Sequence, residues 1–189
     1  MEKRLERKEC LFFEGVAMLE CDISLPQVDF GKKGDKRINK ILSLIFSHAK
    51  KTADTLYEKA KAEYIADGDE KKRFRHRPYR YTLFCRVTEC DGEYFSFITE
   101  ASVFHRGKAL RTQKSARVMR KKDGRIMPFD VIYGKGARKT RKSLKKSKGI
   151  TDFSSFYSKG DRLFLLFCSN GRWQSIEISK NAKQSLHNC

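Results

Sequence analysis

DKRINKILSLIFSHAKKTADTLYEKAKAEYIA, residues 35–66, is the long stretch of this chain whose apolar side chains recur with a helical period. Ile38, Ile41, Leu42, Ile45, Ala49, Ala53, Leu56, Ala60 and Tyr64 step by three or four residues, so one stripe of an α-helix carries them all. Asp35 is the expected N-cap, its carboxylate placed to accept from the first unpaired amides, and Asp67-Gly68-Asp69 is the expected stop. About 31 residues at roughly 1.5 Å rise reach on the order of 45 Å, enough to cross a whole sheet. Thr52, Thr55 and Ala60 dilute the heptad, so a spine with a sheet against its stripe fits better than a free coiled coil.

Upstream of the spine, Val16, Met18, Cys21, Ile23 and Leu25 follow a period of two, which predicts one or two strands with a bend at Gly15 and an end at Pro26. Residues 1–9 alternate in charge around Leu5 and read as a flexible tail or a short exposed helix. Downstream, Asp67 to Arg77 reads as a solvated loop. Tyr79 to Cys90 and Tyr94 to Phe104 read as paired strands around Cys90-Asp91-Gly92-Glu93. Burial favours a register that puts Tyr81, Leu83, Cys85 and Val87 on one face with Phe95, Phe97, Thr99, Ala101 and Val103. Ala109 to Arg120 is a weaker strand that turns at Lys121-Lys122-Asp123-Gly124, and Ile126 to Tyr133 reads as a short edge strand interrupted by Pro128. Leu163 to Cys168 is apolar on both faces and reads as an inner strand under the spine, after a turn at Ser158-Lys159-Gly160-Asp161. Asn170-Gly171 is a strong two-residue hairpin signal before Arg172 to Ser179. The expected architecture is α+β, an antiparallel β-sheet packed against one long α-helix, as a single domain over 10–180 with a tail at 181–189.

The 189 residues are long enough to bury a core, and 14 Phe with 7 Tyr make wholesale disorder a poor description. Neither a membrane-length apolar run nor the apolar stretch of a signal peptide is present, so the expected compartment is the cytoplasm. Cys10, Cys21, Cys85, Cys90, Cys168 and Cys189 lack the spacing of zinc or redox motifs and read as small apolar groups in a reducing compartment. His48, His76, His105 and His187 are scattered, and no cofactor or metal is expected. Gly134-Lys135-Gly136-Ala137 lacks the spacing of a phosphate loop. Cys85, Cys90 and His105 are neighbours across the expected strands but carry no signature of an activated thiol. Glu89, Asp91 and Glu93 read as an exposed acidic tip.

The formal net charge is +19, and residues 106–149 hold most of it, with Asp123 and Asp130 their only acids. Arg106, Lys108, Arg111, Arg117, Arg120, Lys135, Arg138, Lys139, Arg141, Lys142, Lys145 and Lys146 are the candidate polyanion-binding residues, because such a field attracts and steers polyanions. Within it, Gly134 to Lys148 reads first as a solvated, mobile basic segment, with a partly helical surface run as the alternative. Tyr133 and Phe104 lie near the window, yet Arg138 to Lys148 contains no aromatic residue, which favours polyanion attraction without base readout.

Ile23-Ser24-Leu25-Pro26-Gln27-Val28, Ile38-Asn39-Lys40-Ile41, Glu93-Tyr94-Phe95-Ser96-Phe97, Lys122-Asp123-Gly124-Arg125-Ile126-Met127-Pro128-Phe129-Asp130 and the Phe156-Tyr157 to Phe167 segment give the chain a resemblance to a known family. With these residues it resembles the small domain family of unknown function that also forms the outer part of lysozyme-sensing anti-sigma factors and accompanies some peptidoglycan deacetylases of Gram-positive bacteria. The resemblance implies an antiparallel sheet on a long helix and a role in binding. Many members carry a Gly-Gly-Ala-His element after the second central strand; here Phe104-His105-Arg106-Gly107 stands in its place. Lysozyme is not carried over as a partner, since it is itself basic and the members that recognise it do so outside the cell.

Two functions from different classes are expected to compete. One is a non-enzymatic binding domain whose basic surface engages an acidic protein or other polyanion, nucleic acid among them. The other is a hydrolase or accessory domain acting on cell-envelope or anionic substrates, marked by a pocket between helix and sheet lined by a His and two carboxylates.

Overall fold

Helix α1 runs from Asp35 to Ala66 in the computed structural model, which describes residues 3–67, 76–90, 92–160 and 162–179. Ile38, Leu42, Ala49, Ala53, Ala60 and Tyr64 of the expected stripe are buried, and Ile41, Ile45 and Leu56 are partly so. The cap differs from expectation. Asp35 Oδ2 accepts from the amides of Phe30 (2.9 Å) and Lys32 (3.0 Å), closing the loop behind it. The first-turn amides of Arg37 and Ile38 donate instead to the Gly34 carbonyl, both at 3.0 Å.

Strands β1 (Arg4–Phe13), β2 (Val16–Pro26), β3 (Tyr79–Glu89), β4 (Tyr94–His105) and β5 (Lys108–Arg120) form one sheet in that order. Helices α2 (Phe129–Tyr133) and α3 (Ala137–Lys148) follow, and β6 (Phe156–Lys159), β7 (Arg162–Ser169) and β8 (Arg172–Ser179) form a second sheet. The class is α+β with a mostly antiparallel first sheet. The exception is β2 with β3, which are parallel from Leu19↔Tyr79 to Ser24↔Phe84. A crossover helix between them dictates this, because a chain that traverses the sheet along α1 re-enters in the same direction.

The chain packs as two compact units. The first comprises Met1–Val28, Asn39–Cys85 and Glu100–Gln113. Its core sets Ala49, Ala53, Ala60 and Tyr64 of α1 against Met18, Leu19, Cys21, Ile23 and Leu25 of β2 and Tyr79, Tyr81 and Leu83 of β3. The expected tail at 1–9 is largely an edge strand, paired from Arg4↔Pro26 to Phe13↔Val16. Its charge hid it. Leu5, Leu11 and Phe13 do turn to the core, but Arg7 occupies a helix-facing position and reaches Asp54 of α1 at 2.8 Å. Such charge on an edge strand blocks pairing with other chains. Ala101 and Val103 of β4 pack on the same core as Tyr81, Leu83 and Cys85, as the burial-based register requires, whereas Val87 is exposed.

The second unit comprises Asp29–Ile38, Arg86–Thr99 and Lys114–Cys189. Ile126 to Tyr133 was expected as an edge strand, yet only Met119↔Ile126 forms a bridge and the chain then enters α2. Pro128 explains the change: its φ of −68° and missing N–H suit the start of a helix. Phe129 and Ile132 then share one buried face, with Phe129 stacked on Tyr133 at 5.3 Å and edge-on to Phe156 at 5.7 Å. The basic run from Ala137 is fully helical and closes at Gly149, whose amide donates to Lys145 O with φ of 66°.

Leu163 to Cys168 is a strand, but not one under the spine. Leu163 and Leu165 pack with Val118, Phe129, Ile132 and Leu144, while Leu166 packs with Ile98, Ala116 and Tyr157. Both faces of β7 are thus covered inside the second unit, which accounts for its continuous apolar run. Asn170 and Gly171 take left-handed φ values of 51° and 72°, giving the expected tight turn between Ser169 and Arg172. Residues 68–75, Asp91, Asp161 and the expected tail at 181–189 lie outside the described residues.

Candidate functional site

Helix α3 reads ARKTRKSLKKSK, with Ala137 and Leu144 buried. At about 100° per residue, Arg138, Lys139, Lys142, Lys145 and Lys146 fall within an arc of roughly 120° away from Leu144. All five are exposed, and none of their side chains makes a hydrogen bond or ion pair with a described residue. Arg141 departs from them. Its guanidinium lies over the rings of Phe129 (5.4 Å) and Phe153 (5.1 Å), and its Nε stands 3.0 Å from Asp130 Oδ1. Arg141 therefore anchors the helix, while its neighbours carry the open charge. Gly134 and Gly136 link α2 to α3 and do not form a phosphate loop.

The remaining candidates are divided between the two units. Arg106, Lys108 and Arg111 belong to the first unit, at and after the β4–β5 turn, whereas Arg117, Arg120 and Lys135 belong to the second. Arg120 is committed to Asp123 through Nε at 3.1 Å and Nη2 at 2.5 Å. That pairing, with the Arg125 amide, holds the Asp123 carboxyl well below the usual carboxylate range. Tyr133 accepts from Thr140 Oγ1 at 3.0 Å within the fold. Glu89, expected on an exposed tip, is buried.

Sequence reasoning missed a second feature, on the face of the first unit's sheet that points away from α1. Along β3, Tyr79, Tyr81 and Leu83 are buried toward the helix, so Arg80, Thr82 and Phe84 face the other way. Glu100, Ser102 and Phe104 do the same on β4, and Glu20 lies beside Arg80 in the parallel register. With Arg77 and Arg106 these residues line an open concavity of about 1140 Å³. The hydroxyl residues Thr82 and Ser102 are buried on this face, and Ser102 Oγ lies 3.1 Å from Thr112 Oγ1. Phe84 is 46% exposed. The signal was available in the strict alternation of Arg80, Thr82, Phe84 and of Glu100, Ser102, Phe104.

His105 also lines this concavity, with Glu20, Asp67 and Glu100. These are the residue types expected of a hydrolase, but Glu20 and Glu100 face away from the helix, whereas His105 has the strand parity of Ala101 and Val103, and the seam between helix and sheet is filled by the core. The His105 ring stacks on Tyr79 at 4.3 Å, and the Tyr79 hydroxyl donates to Glu63 at 3.0 Å. Burial, then the Arg106 guanidinium, hold the His105 imidazole below its ordinary value. Cys90 precedes β4 and His105 ends it, so the two are not neighbours. Burial pushes the Cys85 thiol up to about 12, which leaves it protonated. Among the described residues no cluster of His, Cys, Asp and Glu is arranged to hold a metal ion, and no helix is long and apolar enough to cross a membrane.

No family model matches the chain, and no curated protein does. Solved crystal structures share its fold, among them the following two. A member of the DUF3298 family from Bacteroides fragilis superposes with a TM-score of 0.61 at 12% identity, over 94% of this chain and 89% of that one. A DUF3298 family protein from Pseudomonas aeruginosa gives 0.59 at 9% identity, over 98% and 93%. At these identities the likeness is one of architecture, and the architecture is that of DUF3298 family proteins.

Proposed function

We propose that the chain is a non-enzymatic binding domain that engages an acidic protein or other polyanion through the exposed face of α3. One observation carries this reading: Arg138, Lys139, Lys142, Lys145 and Lys146 share one side of a helix that contains no acid, and none has a partner among the described residues. Unpaired cations at this spacing place a dense positive field outside the fold, where a polyanion releases counterions on binding. The helix offers no aromatic side chain for stacking on bases, so recognition is by charge.

The resemblance of residues 20–170 to the outer domain of lysozyme-sensing anti-sigma factors and deacetylase accessory domains belongs to the same proposal. It supports binding over catalysis, and the shared DUF3298 architecture is compatible with it. The free thiols of Cys10, Cys21, Cys85, Cys90 and Cys168 support a reducing compartment such as the cytoplasm.

Titration with polyglutamate, single-stranded DNA and duplex DNA at two salt concentrations tests the reading. Binding at low salt is expected, weakening steeply as salt rises. A variant combining Lys139→Ala, Lys142→Ala, Lys145→Ala and Lys146→Ala is expected to bind at least tenfold less tightly, with a salt slope lower by roughly three. Absence of binding to all three polymers at low salt, or wild-type affinity in the variant, overturns it.

A further inference from the structure

We propose that the concave sheet face of the first unit is a binding site for a small organic anion that carries a flat ring. This does not rest on the α3 reading, since it uses other residues.

The first argument is charge. Arg77, Arg80 and Arg106 line the concavity, and none makes a hydrogen bond or ion pair with a described residue. The acids on the same face are differently placed. Asp67 and Glu100 already have interaction partners, and Glu20 stands beside Arg80 in the strand register without a hydrogen bond or ion pair to a described residue. The uncommitted charge is therefore positive. Three guanidinium forks suit a carboxylate or phosphate, which each can take in a bidentate manner.

The second argument is the apolar surface. Phe84 is 46% exposed in the middle of a strand, on a face whose neighbours Thr82 and Ser102 are buried. An exposed phenylalanine there leaves a ring surface that a ligand ring would remove from water. Phe104 adds a second one on the next strand. The third argument is size. A concavity of about 1140 Å³ accepts a molecule of nucleotide dimensions. A long polyanion fits less well, because Glu20, Asp67 and Glu100 would face its other charges. Glu20 would accept from a hydroxyl or amine of a compact ligand.

An anionic group joined to a flat ring comes from two sources, and calorimetry on the full chain separates them with uridine 5′-monophosphate and indole-3-acetate. At least one is expected to bind at millimolar concentration or below. Uridine and inorganic phosphate, which each supply half of the chemistry, are expected to bind at least tenfold less tightly. The pair Arg80→Gln with Arg106→Gln, and separately Phe84→Ser, should each weaken binding at least tenfold, while the four-lysine variant of α3 retains it. In the unaltered chain, amide shifts on titration should centre on Arg80 to Phe84 and Ser102 to Arg106. Failure of both ring anions to bind at millimolar concentration, shifts centred elsewhere, or undiminished affinity in folded variants overturns the proposal.

Discussion

Gly34 and Gly124 meet backbone to backbone. A Cβ on Gly34 would lie 2.2 Å from the Lys121 carbonyl oxygen and 2.4 Å from the Gly124 amide nitrogen, and one on Gly124 would lie 2.6 Å from the Gly34 carbonyl oxygen. The loop that starts α1 is thus seated against the turn after β5, and neither partner is a flexible side chain able to move aside. Lys121, in the same turn, donates its ammonium to the Cys90 carbonyl and sits 4.3 Å over the Phe30 ring.

Gly34→Ala is accordingly expected to cost about 3 kcal/mol, the upper end of the usual range for overpacking, because the neighbours are backbone atoms. Gly149→Ala, where a Cβ would meet nothing within 4 Å but φ is 66°, should cost only about 1 kcal/mol. Urea denaturation at fixed pH measures both. Equal losses would show that the close approach at Gly34 is not what limits substitution.

Acidification should weaken the first unit through two histidines. Burial lowers the His76 imidazole from its ordinary 6.5, opposed by Glu63 and aided by Arg106; burial and then Arg106 lower that of His105. Because both folded values lie below the unfolded one, the unfolded chain binds protons first. Stability is unaffected by these groups above about pH 6.5 and falls as pH drops below it toward the folded values. Melting temperatures between pH 7.5 and 5.5 should decline more steeply in the wild type than in His76→Gln/His105→Gln, and parallel declines would remove these residues as the cause.

Much of the architecture was legible because it is written in periodicity. The α1 stripe, the Asn170-Gly171 turn and the alternation of Tyr79, Tyr81 and Leu83 each depend on local spacing, which the fold preserves. Features decided by tertiary context were not. Residues 4–9 pair as β1 although Leu5 is their only apolar side chain, because the hydrogen bonds come from β2 and an ion pair to Asp54 replaces apolar burial. Residues 129–133 coil into a helix because Phe153, and Phe156 of β6, offer Phe129 aromatic contacts. The concavity escaped notice for a related reason: its charges come from three strands and the segments that flank them and are dilute in sequence, whereas those of α3 are contiguous.

Thiol reactivity should divide by burial. Cys21 is buried with its thiol pushed up to about 11, and Cys85 is pushed up to about 12, both chiefly by burial. Cys90 and Cys168 are exposed. At pH 8, alkylation followed by peptide mapping should modify Cys90 and Cys168 first, leaving Cys21 and Cys85 intact until denaturant is added. Early labelling of Cys85 would mean that the first unit opens readily on that timescale.

Arg141 offers a way to separate the structural from the electrostatic part of α3. Its guanidinium lies over the rings of Phe129 and Phe153 and beside Asp130, so it fixes the helix on its hydrophobic support rather than projecting with Lys142 and Lys145. Arg141→Ala should destabilise the chain by about 1–2 kcal/mol, combining lost ring contact with a partly exposed ion pair. Arg141→Lys should recover little of that, because an ammonium keeps the charge but not the planar group that lies against the two rings. Lys142→Ala should leave stability within about 0.5 kcal/mol while lowering affinity for polyglutamate. Thermal unfolding and titration of the three variants read the two quantities separately. If Arg141→Lys is as stable as the wild type, charge alone holds α3 in place and the aromatic clamp has no energetic role.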